Sequence, residues 1–224
     1  DMKEDYQNIL SKIDSDIKEI KIDETTRLVI VSKSQPISSI KKLIKSGYYI
    51  YGENYLDEAI KKIEEIDDNN LEWHFIGRIQ SNKIKKIVKN FNWVQTVSSE
   101  KHAKLLNKEC QKLEKKLNIC IQINIDSEES KSGIMINEID GFLDRISQYK
   151  YLSLRGIMAI PSKLNALKEN VNSYNILKLK YDKLSNKYKN IDTLSLGMSN
   201  DYKLALSKGS NMIRIGSLIF GERK

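Results

Sequence analysis

The chain has 224 residues and a mass of 25.9 kDa, with 40% hydrophobic and 30% charged residues, a balance that supports a sizeable globular core and excludes an intrinsically disordered chain. Its net charge of +8 raises nucleic acid as a partner, yet only six of its 38 basic residues are arginine and most lysines alternate with Asp or Glu, so specific nucleic-acid binding is not expected. No apolar run approaches the ~18–20 residues of a membrane span, and the opening "DMKEDYQNILSKIDSDIKEI" has no apolar targeting core, so a cytoplasmic protein without membrane attachment is expected.

Taken in chain order, an amphipathic helix over about 3–20 precedes eight strand-like runs: 27–33, 48–54, 72–77, 92–98, 118–125, 152–160, 193–197 and 212–221. Helical spacing fills the intervals. Ile37, Ile40, Leu43 and Ile44 form one face before Gly47, a C′ candidate, and Leu56, Ala59, Ile60 and Ile63 form the next. Ile84, Ile87 and Val88 follow. Leu105, Leu106, Cys110, Leu113 and Leu117 predict a longer helix, as do Ile139, Phe142, Leu143 and Ile146. The longest stripe is Leu167, Val171, Tyr174, Leu177, Tyr181, Leu184 and Tyr188. Eight strands alternating with helices predict an α/β fold, a (β/α)8 TIM-type barrel with an extra N-terminal helix; a doubly wound open sheet is the structural alternative. With prolines only at 36 and 161 and no Gly/Ser-rich linker, residues 1–224 read as one domain.

Cys110 and Cys120 lack CxxC spacing and read as buried free thiols, while His74 and His102 are too few for a histidine metal site. In such barrels the site lies at the C-terminal ends of the strands. The first strand delivers Lys33 there, the second Glu53 and Asn54, the third His74 and Gly77, and the sixth Met158. "LGMSND" (196–201) and "RIGS" (214–217) end strands seven and eight, where phosphate sites of these barrels are frequently built. Gly197 permits close approach to an anion. Ser199 either donates its hydroxyl or caps a helix starting near Asn200, and Gly216 and Ser217 offer amides. Arg214, in register with Met212 and Gly216, needs a buried partner: an anion, a ligand ring nitrogen or an internal carboxylate. A lysine opposite a phosphate loop suits Schiff-base chemistry with pyridoxal phosphate, because desolvation favours the neutral, nucleophilic amine.

"VSKSQP", "YGENY" (51–55), "WHFIGRIQSNK" (73–83), "QINI" with "SKSG" (130–133), "RGIMAIP" (155–161), "LSLGMSND" (194–201) and "IRIGSLIFG" (213–221) resemble, in order and over almost the entire chain, the pyridoxal phosphate homeostasis proteins, single-domain relatives of the alanine racemase barrel. The resemblance implies a fold type III barrel holding pyridoxal 5′-phosphate as a Schiff base on Lys33. It implies phosphate contacts from Ser199, Gly216 and Ser217, Arg214 near the pyridine nitrogen, and Asn54, His74 and Met158 lining the pocket. Lys131 matches a family lysine associated with cofactor transfer; the alternative is a surface loop lysine. The implied role is a non-catalytic carrier in vitamin B6 and amino-acid homeostasis, with apo-enzymes as partners. The alternative is a small racemase using Lys33 and His74 as bases. Only "ERK" follows Gly221, which leaves no β-rich second domain of the racemase kind and predicts a monomer. The chain departs from the family pattern at Arg78, where a proline is common, and at Ser34 and Gln35, where a Thr-Lys pair is common.

Overall fold

The computed structural model describes residues 2–21, 25–128, 131–162 and 171–222. Eight parallel strands close into a barrel in sequential order: β1 (Arg27–Val31), β2 (Ile50–Glu53), β3 (Glu72–Phe75), β4 (Trp93–Val97), β5 (Leu117–Ile123), β6 (Leu152–Ala159), β7 (Thr193–Leu196) and β8 (Met212–Ile215). Closure is made by β8 on β1, with Val29 opposite Arg214, so the open doubly wound sheet is set aside. The eighth strand is shorter than the apolar run 212–221 suggests. Gly216 leaves extended geometry at φ −128°, ψ −69°, and Ser217–Phe220 turns into a short helix.

Among the described residues the α-helices are α1 (Met2–Ile20), α2 (Ile37–Lys45), α3 (Leu56–Ile66), α4 (Ile84–Asn90), α5 (Glu100–Lys112), α6 (Ile139–Ile146), α7 (Val171–Lys187), α8 (Tyr202–Ser207) and α9 (Ser217–Phe220). Their stripes face the barrel: Ile40 and Leu43 on α2, Leu106 and Cys110 on α5, and Tyr174, Leu177 and Leu184 on α7 are buried, each large apolar side chain worth ~1.5–3 kcal/mol. Leu167 lies outside the described residues. Pro36 stands at the N-cap of α2, and Gly47 follows its end at φ +92°, as expected of a C′ residue. One stripe was longer than its helix. Glu114, at φ +50°, reverses the chain after α5, so Leu113 is exposed and Leu117 opens β5. The N-terminal α1 buries Leu10 and Ile13, sets Tyr6 edge-on to Phe220 with centroids 5.5 Å apart, and accepts a hydrogen bond from Tyr202 through Asp16. It therefore braces α8 and α9, the two helices that follow the last two strands.

Strand alternation separates two cores. One lies between strands and helices; the other, with Val29, Trp93, Cys120, Met158 and Met212, fills the barrel interior. The β5–β6 register passes from Ile119–Leu154 to Cys120–Gly156, a bulge that leaves Arg155 unpaired in the ladder. Only glycine fits after it, because a Cβ at Gly156 would stand 1.7 Å from the Thr193 carbonyl oxygen. Arg155 is then held by Asp192 at 2.7 Å and Asn118 at 3.0 Å, and it lies 4.6 Å from the Trp93 ring centroid. Arg27 lies over the same indole at 5.0 Å and pairs with Glu72. These groups sit at the strand starts and plug the N-terminal mouth. Among the described residues no helix is long and apolar enough to cross a membrane.

Candidate functional site at the C-terminal mouth

Lys33 lies two residues past β1 and is half-buried. Beside it, β8 ends on Gly216, where a Cβ would stand 3.0 Å from the Val31 carbonyl oxygen, so the backbones of the two strand ends are in close contact. Gly197, after β7, adopts φ +108°, and a Cβ there would stand 2.8 Å from the Ala205 side chain. The turns after β7 and β8 are stitched together by Ser199, whose Oγ accepts from the Leu218 N–H at 3.1 Å. Ser199 therefore does not cap a helix beginning near Asn200. That helix, α8, starts at Tyr202 behind Asp201, whose Oδ1 accepts from the Met198 N–H at 2.8 Å and whose Oδ2 accepts from the Tyr174 hydroxyl at 2.6 Å. The amides of Gly216 and Ser217 have no hydrogen-bond acceptor among the described residues.

Arg214 is only 4% exposed. Its guanidinium donates to Ser195 Oγ and, at 3.1 Å, to the Ala159 carbonyl, and among the described residues no carboxylate approaches it within ion-pair distance. Burial lowers its pKa to about 10, with the charge of Asp201 opposing, so it stays cationic at neutral pH. The internal-carboxylate alternative is thus removed. A buried cation held by neutral groups is costly until an anion or a lone pair joins it.

A directed chain of donors runs inward from Arg214. Because a guanidinium only donates, Ser195 Oγ accepts from it and donates its O–H to Gln95 Oε1 at 2.6 Å; Gln95 Nε2 then donates to His74 Nδ1 at 2.8 Å. His74 is fully buried, stacked on Trp93 at 4.9 Å, with Nε2 3.5 Å from Glu72. Burial lowers its pKa, and the chain assigns it the neutral tautomer with the proton on Nε2. His74 thus sits below the mouth, directed toward the Arg27–Glu72 plug. Met158 is buried in the same interior, paired in register with Gln122 and Ser195.

Asn54 and Lys131 meet at a cleft of about 470 Å³ that also takes in Thr96, Ser98, His102 and Gln122. Asn54 Nδ2 donates to the Ile76 carbonyl at 3.4 Å, and its buried Oδ1 has no partner among the described residues. Lys131 pairs with Asp126 at 3.1 Å and Glu128 at 3.6 Å. Sequence reasoning missed Ser195 and Gln95, although both are polar residues two positions from interior ones, Ser195 from Gly197 and Gln95 from Trp93. It also placed Glu53 at the mouth. Strand alternation instead turns Glu53 outward, beneath α3, where it meets Lys62.

Residues 10–224 match the family described as alanine racemase, N-terminal domain, which defines the class: a parallel barrel of the racemase type with a lysine past its first strand. Curated relatives named pyridoxal phosphate homeostasis protein include that of Haemophilus influenzae, 40% identical over 220 residues (96% of this chain, 93% of the relative), and that of Escherichia coli, 40% identical over 203 residues (89% and 87%). The chain belongs to the pyridoxal phosphate homeostasis protein family. Among solved structures, PipY of Synechococcus elongatus with pyridoxal phosphate bound superposes with a TM-score of 0.84 at 29% identity, covering 96% of this chain and 100% of that one. An alanine racemase from Clostridium difficile, 17% identical with a TM-score of 0.79, covers 98% of this chain and 60% of that one and shares the fold.

Proposed function

We propose that this protein binds pyridoxal 5′-phosphate at the C-terminal mouth, as a Schiff base on Lys33, and serves intracellular vitamin B6 and amino-acid homeostasis as a carrier without strong catalytic activity. The observation that carries the reading is Arg214: a buried guanidinium whose partners among the described residues are neutral, next to glycine-lined strand ends whose amides have no acceptor among those residues. Such a site fits a ligand bearing both a phosphate and a ring nitrogen. The name of the curated relatives and the cofactor in the PipY structure support the same assignment.

When bound, the cofactor supplies an aldehyde that condenses with an amine, releasing one water. Lys33 supplies that amine, and its half-buried position limits competition by solvent. Ser199, Gly216 and Ser217 are assigned to the phosphate, Arg214 to the pyridine nitrogen. An arginine there does not hold the nitrogen protonated, which weakens the ring as an electron sink. Asn54 and Met158 line the pocket, and Lys131 borders the cleft beside it. His74 is a poor second base for a racemase: one nitrogen accepts from Gln95 and the other is directed at Glu72, below the mouth. The role is placed in the cytoplasm, in a monomer of one barrel domain spanning 1–224 that hands the cofactor to apo-enzymes.

The test is the visible spectrum after loading with pyridoxal phosphate and desalting, for the unaltered protein and Lys33→Ala, together with Cα proton exchange of amino acids in deuterated water. A retained imine band lost in Lys33→Ala, with exchange far below about 1 s⁻¹, is expected. An enzyme-like exchange rate contradicts the carrier role, and a band surviving in Lys33→Ala contradicts the lysine.

A further inference from the structure

Lys33 is flanked by two serines, and each is gripped by the same buried ionic cluster. Ser32, fully buried, donates from its N–H to the Gly52 carbonyl at 3.0 Å and from Oγ to Glu53 Oε2 at 2.6 Å, and its carbonyl accepts from Lys62 Nζ at 2.7 Å. Ser34, held at φ +63° in the left-handed region, donates its N–H to Glu58 Oε1 at 2.6 Å. Lys62 joins the two sides. It is 4% exposed, and its ammonium lies 2.8 Å from Glu53 Oε1 and 2.8 Å from Glu58 Oε1. Burial pushes the Glu53 carboxyl above its ordinary range, while Lys62 and Ser32 pull it back.

Three ionic groups buried or half-buried behind one turn are a poor source of net stability, since desolvation offsets much of their attraction. Their geometry does something apolar residues cannot: it fixes the backbone on both sides of Lys33, including a positive φ that serine adopts only at a cost. We propose that Lys62, acting with Glu53 and Glu58, is a positioning residue for Lys33: the cluster holds the 32–34 turn in the one conformation from which the Lys33 amine meets the cofactor aldehyde. This rests on the proposed role of Lys33 and extends it to residues of β2 and α3 behind the turn.

The test separates covalent capture from phosphate binding. Lys62→Met, Glu58→Ala and Glu58→Gln are mixed rapidly with pyridoxal phosphate to follow imine formation, and titrated with pyridoxamine phosphate, which carries the phosphate and ring but no aldehyde. Imine formation is expected to slow about tenfold in Lys62→Met and Glu58→Ala, the scale on which a small misplacement of a reacting group acts. Pyridoxamine phosphate affinity stays within about twofold, and Glu58→Gln, which keeps an acceptor for the Ser34 N–H, recovers most of the rate. Glu58 is half-exposed, so its variants remain informative where Lys62→Met fails to fold. Unchanged imine rates in the variants, or a parallel loss of pyridoxamine phosphate binding, overturn the inference while leaving the Lys33 assignment intact. An unaltered protein that forms no imine at Lys33 overturns both.

Discussion

Replacing Ser195 by alanine removes one oxygen from the barrel interior and is predicted to cost far more than its size suggests. Its Oγ accepts from Arg214 and donates to Gln95 Oε1 at 2.6 Å, and all three side chains are buried. Loss of a hydrogen bond to a charged group costs ~1.5–3 kcal/mol and a stranded buried acceptor adds ~1–3 kcal/mol, while the Ala159 carbonyl still serves part of the guanidinium, so about 2–4 kcal/mol is expected. Urea unfolding of the unaltered protein and Ser195→Ala reads this directly as a shift in midpoint at constant slope. Because the two residues share one chain of donors, Gln95→Leu added to Ser195→Ala should cost at least ~1 kcal/mol less than the two changes summed. A Ser195→Ala cost below ~0.5 kcal/mol, typical of surface positions, or strict additivity would refute the directed chain from Arg214 to His74.

The Glu72 carboxyl is brought down to about 2: burial acts upward, but the His74 and Arg27 contacts outweigh it. Its folded pKa lies below the unfolded one, so its contribution is present above about pH 4.5 and is lost as pH falls toward about 2; Glu72→Gln should flatten an acid-unfolding curve in that window, and an unchanged curve would contradict the pairing. Burial pushes the thiols of Cys110 and Cys120 up to about 11 and about 12, so a thiol reagent at pH 8 should label neither until the chain unfolds; rapid labelling of the native protein would show that the cores are open. Gly156→Ala forces a Cβ onto the Thr193 carbonyl and should lower stability by about 3 kcal/mol or more, as severe overpacking does, so a variant as stable as the original would remove the bulge from the account.

The barrel was legible because each strand and helix announces itself by local period. Alternation around Val29 or Met212 and three-to-four spacing along α7 need no partner to be read. Element ends were not, because they depend on single backbone conformations: Glu114 at φ +50° stops the α5 stripe, and Gly216 turns an apolar run from strand to helix. For the site, Lys33, Ser199, Arg214 and Gly216 stood out through their placement at strand ends. Ser195 and Gln95 did not, since a lone polar residue in an apolar strand gives no indication of which distant residue it will meet. The cluster of Lys62, Glu53 and Glu58 was hidden for another reason. Glu53 closes β2, whereas Glu58 and Lys62 have the spacing of an ordinary solvated face of α3, and only the packing of α3 behind the β1 turn brings the three together.

The measurement closest to the central claim is borohydride reduction of the protein loaded with pyridoxal phosphate, followed by tryptic mapping. Reduction fixes the cofactor on whichever amine holds it, and a modified Lys33 resists trypsin, so the account predicts a single pyridoxyl-bearing peptide spanning residues 28–41. Adducts scattered over surface lysines, or concentrated at Lys131 or Lys62 with Lys33 cleaved normally, would contradict it.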